Sequence, residues 1–273
     1  MRSSDLSFAT LTGTDLGGRL LEYDERDAII YALAVGAPAD RLDLVYERDL
    51  RVLPTIAMGL GLWAVEAVGE LGLYDRTHSL HVGQRLEVQQ AFPRRASMPS
   101  TGRVSAVWDK GKATVVEVEV RSDPFVATYT IFVPGVGGWG GERGPAGAKA
   151  PEPGPTWSVE RETRADAAAL YRLTGDRHPV HIDPVVAAAG GFERPILHGL
   201  ATLGMAALEV AAARGDHPAE LRSLSAHFAA PVLPGERLTF EADASGEGPV
   251  AFAVRAADGT IAVKDGEAAY GGR

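Results

Sequence analysis

Apolar and polar positions alternate with a period of two along much of the chain, which is the pattern of strands with one buried face. In the first half this predicts strands around Gln84–Phe92, Ser100–Ser122 and Phe125–Val133. In the second it predicts strands around Leu221–Ala229, Glu236–Ser245, Pro249–Ala257 and Thr260–Tyr270. Between Ile196 and Ala213 the period changes: Ala, Gly and Leu fall on nearly every side of a helix, as they do when a sheet wraps around it instead of covering one stripe. The segment approaches the length of a membrane span, but it contains His198, Thr202 and Glu209 and is rich in small residues, so a buried helix is the expectation. A second Ala-, Gly- and Leu-rich helix is expected to begin near Pro54.

Neither period survives in "PGVGGWGGERGPAGAKAPEPGPTW", Pro134 to Trp157, whose glycines and prolines interrupt helix and strand alike. This seam divides the chain into an N-terminal unit, 1–133, a Gly/Pro-rich linker, 134–157, and a C-terminal unit, 158–273. Short similarities suggest that the units repeat. "YALAVGA" at Tyr31 resembles "YRLTGD" at Tyr171, and "GQRLEV" at Gly83 resembles "GERLTF" at Gly235. In each unit a short helix, a loop and an apolar helix precede a run of strands. The fold class that follows is α+β, with antiparallel strands curled around a helix, twice. The repeat is chemically unequal, because Ala37 stands where the second unit has Asp176, so one reactive site per chain is expected.

Composition narrows the function classes. With 27 basic against 36 acidic residues the net charge is −9, which argues against a nucleic-acid surface and offers no general attraction to an anionic membrane. The absence of cysteine removes disulfides, thiolate nucleophiles and cysteine metal sites. The polar N-terminal stretch lacks a signal-peptide core, and a cytoplasmic location is the expectation.

The chemistry concentrates in "GDRHPVHIDPVVAAAGGFERPILHGL", Gly175 to Leu200. Asp176 and His181 stand five residues apart around a Pro-containing turn, a spacing that lets a carboxylate and an imidazole converge on one water molecule as an acid/base pair. His178, His181, Asp183 and His198 are also of metal-ligand type. There is no helical H-E-x-x-H pattern, however, and Asp183 before Pro184 is explained as a helix N-cap with proline at the first helical position, so no metal is expected. His198 and Gly199 fall where the buried helix should start; a free N–H there can polarise a carbonyl oxygen that gains negative charge.

These stretches resemble the hydratase 2 motif of the MaoC-like, double hot-dog, R-specific 2-enoyl-CoA hydratases. The likeness extends over both halves: "DLVYERDLRVLPT", "LHVGQRLEV" and "WDKGKATVVEVEV" resemble a non-catalytic N-terminal hot dog, and "HFAAPVLPGERLTFE" resembles the strand pair after the catalytic helix. The resemblance implies that Asp176 and His181 form the catalytic dyad, that the Gly199 N–H polarises the thioester carbonyl, and that His81, Lys110, His178 and Phe228 contact the substrate. Two departures stand out. His178 occupies a position where the family usually has Asn, and His227 stands where an Arg often precedes the Phe.

The implied activity is reversible addition of water to trans-2-enoyl-CoA, the reverse being 3-hydroxyacyl-CoA dehydration, with no metal or redox cofactor. The rivals are a hot-dog acyl-CoA thioesterase and a non-catalytic acyl-thioester-binding subunit. The expected partner is an acyl-CoA thioester, not a nucleic acid or a membrane, and both a monomer and a homodimer are compatible with two hot dogs in one chain.

Overall fold

A computed structural model describes residues 6–145 and 154–271. Among the described residues, ten strands form one antiparallel sheet: β1 (Asp15–Tyr23), β2 (Leu80–Val88), β3 (Ala96–Asp109), β4 (Ala113–Ser122), β5 (Phe125–Pro134), β6 (Trp157–Glu162), β7 (Leu221–Phe228), β8 (Arg237–Asp243), β9 (Val250–Arg255) and β10 (Ile261–Tyr270). Their spatial order is β1-β3-β4-β5-β2-β7-β10-β9-β8-β6, so each half contributes five strands in the same internal order, turned end to end. The two half-sheets are continuous, because β2 and β7 pair antiparallel from Gly83↔His227 to Glu87↔Ser223. This is a double hot dog: each half-sheet curls over its own helical segment.

The helices are α1 (Phe8–Leu11), α2 (Glu25–Ala34), α3 (Leu42–Val45), α4 (Ile56–Leu60), α5 (Trp63–Glu70), α6 (Ala167–Tyr171), α7 (Pro184–Ala189) and α8 (Gly199–Arg214). The apolar segment read at Ile196–Ala213 is α8, packed against β7, β8, β9 and β10 and buried on most sides. It stops at Gly215, whose φ of 71° gives the left-handed turn that glycine adopts without a Cβ clash. The first-half counterpart is broken into α4 and α5. Tyr129 Oη donates to the Met58 carbonyl at 2.8 Å, taking the acceptor that the Leu62 N–H would use in a continuous helix. A Cβ at Gly61 would collide with that hydroxyl.

Tyr31 and Tyr171, the two tyrosines of the repeated helix, meet across the halves with ring centroids 6.1 Å apart, both fully buried. The other repeat match is corrected by the topology. "GQRLEV" lies in β2, whose counterpart is β7, whereas "GERLTF" leads into β8, whose counterpart is β3. Any amphipathic strand that starts after a glycine turn reads this way, so the match reflected strand chemistry, not equivalent position. Two strands were not expected. The edge strand β1 carries Gly17 and Gly18 and is exposed over most of its length, so it has little alternation, and β6 begins at the last residue assigned to the linker.

The start of the seam is a built loop. The buried Asp109 carboxylate accepts the N–H groups of Gly111, Gly138 and Gly140 at 2.8–2.9 Å, and these backbone bonds hold its pKa below the usual carboxylate range. Trp139 donates to Thr114 Oγ1 at 2.9 Å. The middle of the linker, 146–153, lies outside the described residues.

Candidate active site

Gly175 sets the entry to the reactive loop. Its φ of 138° is disfavoured for other residues, and a Cβ there would press on the Gly59 carbonyl of the first half at 3.3 Å. Asp176 follows, and its Oδ1 accepts the His178 N–H at 3.1 Å, closing an Asx turn. His178 Nδ1 in turn accepts the Val180 N–H at 3.3 Å and caps the 3₁₀ turn Pro179–His181. Asp183 then caps α7 with bonds to the N–H groups of Val185 and Val186 at 2.8 and 3.4 Å, as its place before Pro184 implied. His178 therefore has a structural part at one atom, its unprotonated Nδ1.

His181 points back under the loop. Its Nδ1 lies 2.9 Å from the Ile196 carbonyl, and since a carbonyl only accepts, Nδ1 carries the proton and Nε2 presents a lone pair. Burial pushes its pKa down, further lowered by His178 and partly restored by Asp176 and the Ile196 bond, so the neutral, basic form dominates at neutral pH. His198 is stacked on His181 with centroids 3.7 Å apart and an interplanar angle of 26°. Gly199 opens α8, and a first-turn N–H has no acceptor within the helix. A Cβ at Gly199 would stand 3.0 Å from the Phe228 ring, so glycine is what lets the helix start pack against that ring.

Asp176, His178, His181, Gly199, Phe228 and His81 all line one cavity of about 790 Å³. First-half residues Leu62, Val65 and Tyr74 complete its wall, with Leu62 at the break between α4 and α5. His81 lies edge-on to Phe228 at 5.2 Å, and burial drives its pKa to about 4; it contributes ring surface to the cavity and no positive charge. Lys110 is outside this wall. It sits in the β3–β4 turn, where Nζ donates to the Arg143 carbonyl of the seam loop. His227 alternates to the other side of β7 from Phe228, with Nδ1 3.5 Å from Asp265.

Asp176, His181 and His198 each offer a ligand atom within 4.8 Å of the others, so distance alone would admit a cation. Ring geometry opposes it. Stacked at an interplanar angle of 26°, the two imidazoles do not aim their in-plane lone pairs at one point. The arrangement suits proton transfer: a neutral imidazole lone pair, a neighbouring carboxylate and a helix-start N–H, all lining one cavity.

Fold and site together define a double hot-dog protein whose Asp176 and His181 line a cavity from the second half. Residues 148–264 match the model of the MaoC like domain, and residues 21–132 match that of the MFE-2 hydratase 2 N-terminal domain. A peroxisomal enoyl-CoA hydratase 2 of Arabidopsis thaliana is 36% identical over 80% of this chain and 81% of its own length. An enoyl-CoA hydratase of Mycobacterium tuberculosis is 37% identical over 78% and 80%. The crystal structure of a MaoC-like dehydratase from Phytophthora capsici superposes with a TM-score of 0.86 at 25% identity, covering 96% of both chains. The chain belongs to the MaoC-like hydratase 2 family.

Proposed function

We propose that this protein is an R-specific enoyl-CoA hydratase that also runs in reverse as a 3-hydroxyacyl-CoA dehydratase. The observation that carries the reading is the His181 tether. With Nδ1–H on the Ile196 carbonyl, Nε2 is held as an acceptor in the same cavity wall as Asp176 and the Gly199 N–H. In the forward direction Asp176 and His181 hold the water between them. One O–H bond breaks as its proton passes to the dyad, and the oxygen bonds to C3. The C2=C3 electron pair shifts toward the thioester oxygen, which the Gly199 N–H stabilises. A proton from the dyad then closes the C2–H bond, leaving both side chains as they began.

Incubation of the purified protein with crotonyl-CoA and a longer enoyl-CoA should bleach the conjugated-thioester absorbance and yield the (R)-3-hydroxyacyl product. No turnover at any chain length would remove the reading, and free thiol without hydroxyacyl product would put the thioesterase in its place. Among the described residues no helix is long and apolar enough to cross a membrane. An acyl-CoA partner and a cytoplasmic setting are part of the proposal; the plant relative is peroxisomal by name.

The pH profile follows from His181. Its basic form is lost as pH falls through a pKa held below the ordinary 6.5, so the acid limb of kcat/KM is expected with its midpoint below that value. A midpoint above 6.5 would contradict a buried His181 base. His178→Asn should keep the cap, since the amide oxygen can accept the Val180 N–H. It also removes a neighbour that lowers the His181 pKa, so the acid limb should move to higher pH with turnover maintained. Parallel profiles of the two proteins measure this.

A further inference from the structure

We propose that His198 is a positioning residue that holds Asp176 and His181 in register with the Gly199 N–H. The proposal rests on the hydratase reading above for its kinetic consequence, though not for its geometry. His198 is 1% exposed and touches all three functional groups. Its Nε2 lies 3.1 Å from the Asp176 backbone carbonyl, its face covers the His181 ring at 3.7 Å, and its own peptide supplies the Gly199 N–H. The ring is itself held. Tyr171 lies 4.8 Å from it, centroid to centroid, and the His198 carbonyl accepts the N–H groups of Ala201 and Thr202 in the first turn of α8 at 3.0 and 3.2 Å.

The protonation pattern is set by the same contacts. A carbonyl can only accept, so Nε2 carries the proton and Nδ1 is bare. Nδ1 is buried and has no hydrogen-bond partner among the described residues. An apolar side chain would fill the space without leaving a buried polar atom unpaired, so packing alone does not account for a histidine here. Burial, reinforced by His181, pushes the His198 pKa down to about 3, which keeps the ring neutral and its single N–H on Asp176 at neutral pH.

Two variants separate the bond from the bulk. His198→Phe keeps a stacked ring and loses the donor, whereas His198→Gln can place an N–H near the Asp176 carbonyl. The expected result is that His198→Phe lowers kcat about 100-fold, the scale of a misplaced reacting group, with KM nearly unchanged, and that His198→Gln restores most of it. Full activity in His198→Phe, or equal losses in the two variants at equal melting temperature, would overturn the proposal. If neither variant folds, nitrogen-15 spectra of the wild-type histidines decide. A His198 ring fixed as the Nε2–H tautomer and not titrating near neutral pH supports the proposal; an Nδ1–H tautomer, or titration near 6.5, overturns it. Inactivity of the wild type on every enoyl-CoA would fail the hydratase reading, while these spectra would still report on His198.

Discussion

Replacing Asp176 with Asn is expected to lower kcat about 10³-fold, within the range carried by a positioned acid/base group, with little change in KM. The substitution is a clean one for this loop. An amide oxygen can still accept the His178 N–H that closes the Asx turn, and the backbone carbonyl that faces His198 is untouched. What is lost is the carboxylate's ability to hold and exchange a proton with the reacting water. His181→Ala should cost a similar factor, but it also frees the Ile196 carbonyl and uncovers the face of His198, so its structural effects are broader. Because the two groups act on one water, the double variant should be little worse than either alone. Steady-state kinetics on crotonyl-CoA, with circular dichroism to confirm folding, test this. An Asp176→Asn enzyme that keeps more than about a tenth of wild-type kcat would mean that the carboxylate is not in the proton path.

The same pair would serve hydration and hydrolysis of the thioester alike. Both reactions would use a carbonyl polarised by the Gly199 N–H, but they differ in where the water oxygen attaches: C3 in hydration, the carbonyl carbon in hydrolysis. Product identity distinguishes them where loss of activity in the variants cannot.

The parts of this fold that were legible in the sequence are those where one physical demand governs many consecutive residues. The α8 segment is buried on most sides, so nearly every position had to be small or apolar, and that uniformity was visible. The central strands alternate because one face packs on the helix. The edge strand β1 has no such requirement: its outer positions are exposed, Leu20 among them, and its glycines hide the period. At the site, Asp183 announced its capping role by standing before Pro184. The roles of His178 and His198 depend on which ring atom meets which backbone group, and that is fixed by loop geometry, not by spacing. Lys110 shows the converse. The turn lysine is where the sequence put it, but the fold directs it to the seam loop and away from the cavity wall.

The junction of the halves supplies the largest stability effect. Gly204 lies in the middle of α8, where it faces α2 of the first half. A Cβ there would stand 2.6 Å from Val35 Cγ1, 2.9 Å from Tyr31 Oη and 3.2 Å from Val35 Cβ. Both neighbours are about 1% exposed, and Val35 is β-branched, so neither can turn aside at little cost. Two effects oppose each other in Gly204→Val. Replacing a helical glycine gains a few tenths of a kcal/mol in backbone propensity. Forcing three carbons into a filled contact costs about 3 kcal/mol. Overpacking wins, and the melting temperature should fall by roughly 10 °C for a chain of this size. Gly204→Ala adds only the first of those carbons and recovers more helix propensity, so it should be destabilised less. The strain falls where α8 meets α2, and α8 carries Gly199 at its start, so catalysis should weaken at temperatures well below the melt. Thermal unfolding of the two variants beside the wild type measures this. An unchanged melting temperature in Gly204→Val would show that the halves can move apart to admit a side chain, and that their contact through Tyr31 and Val35 is not what keeps the first-half wall of the cavity against the dyad.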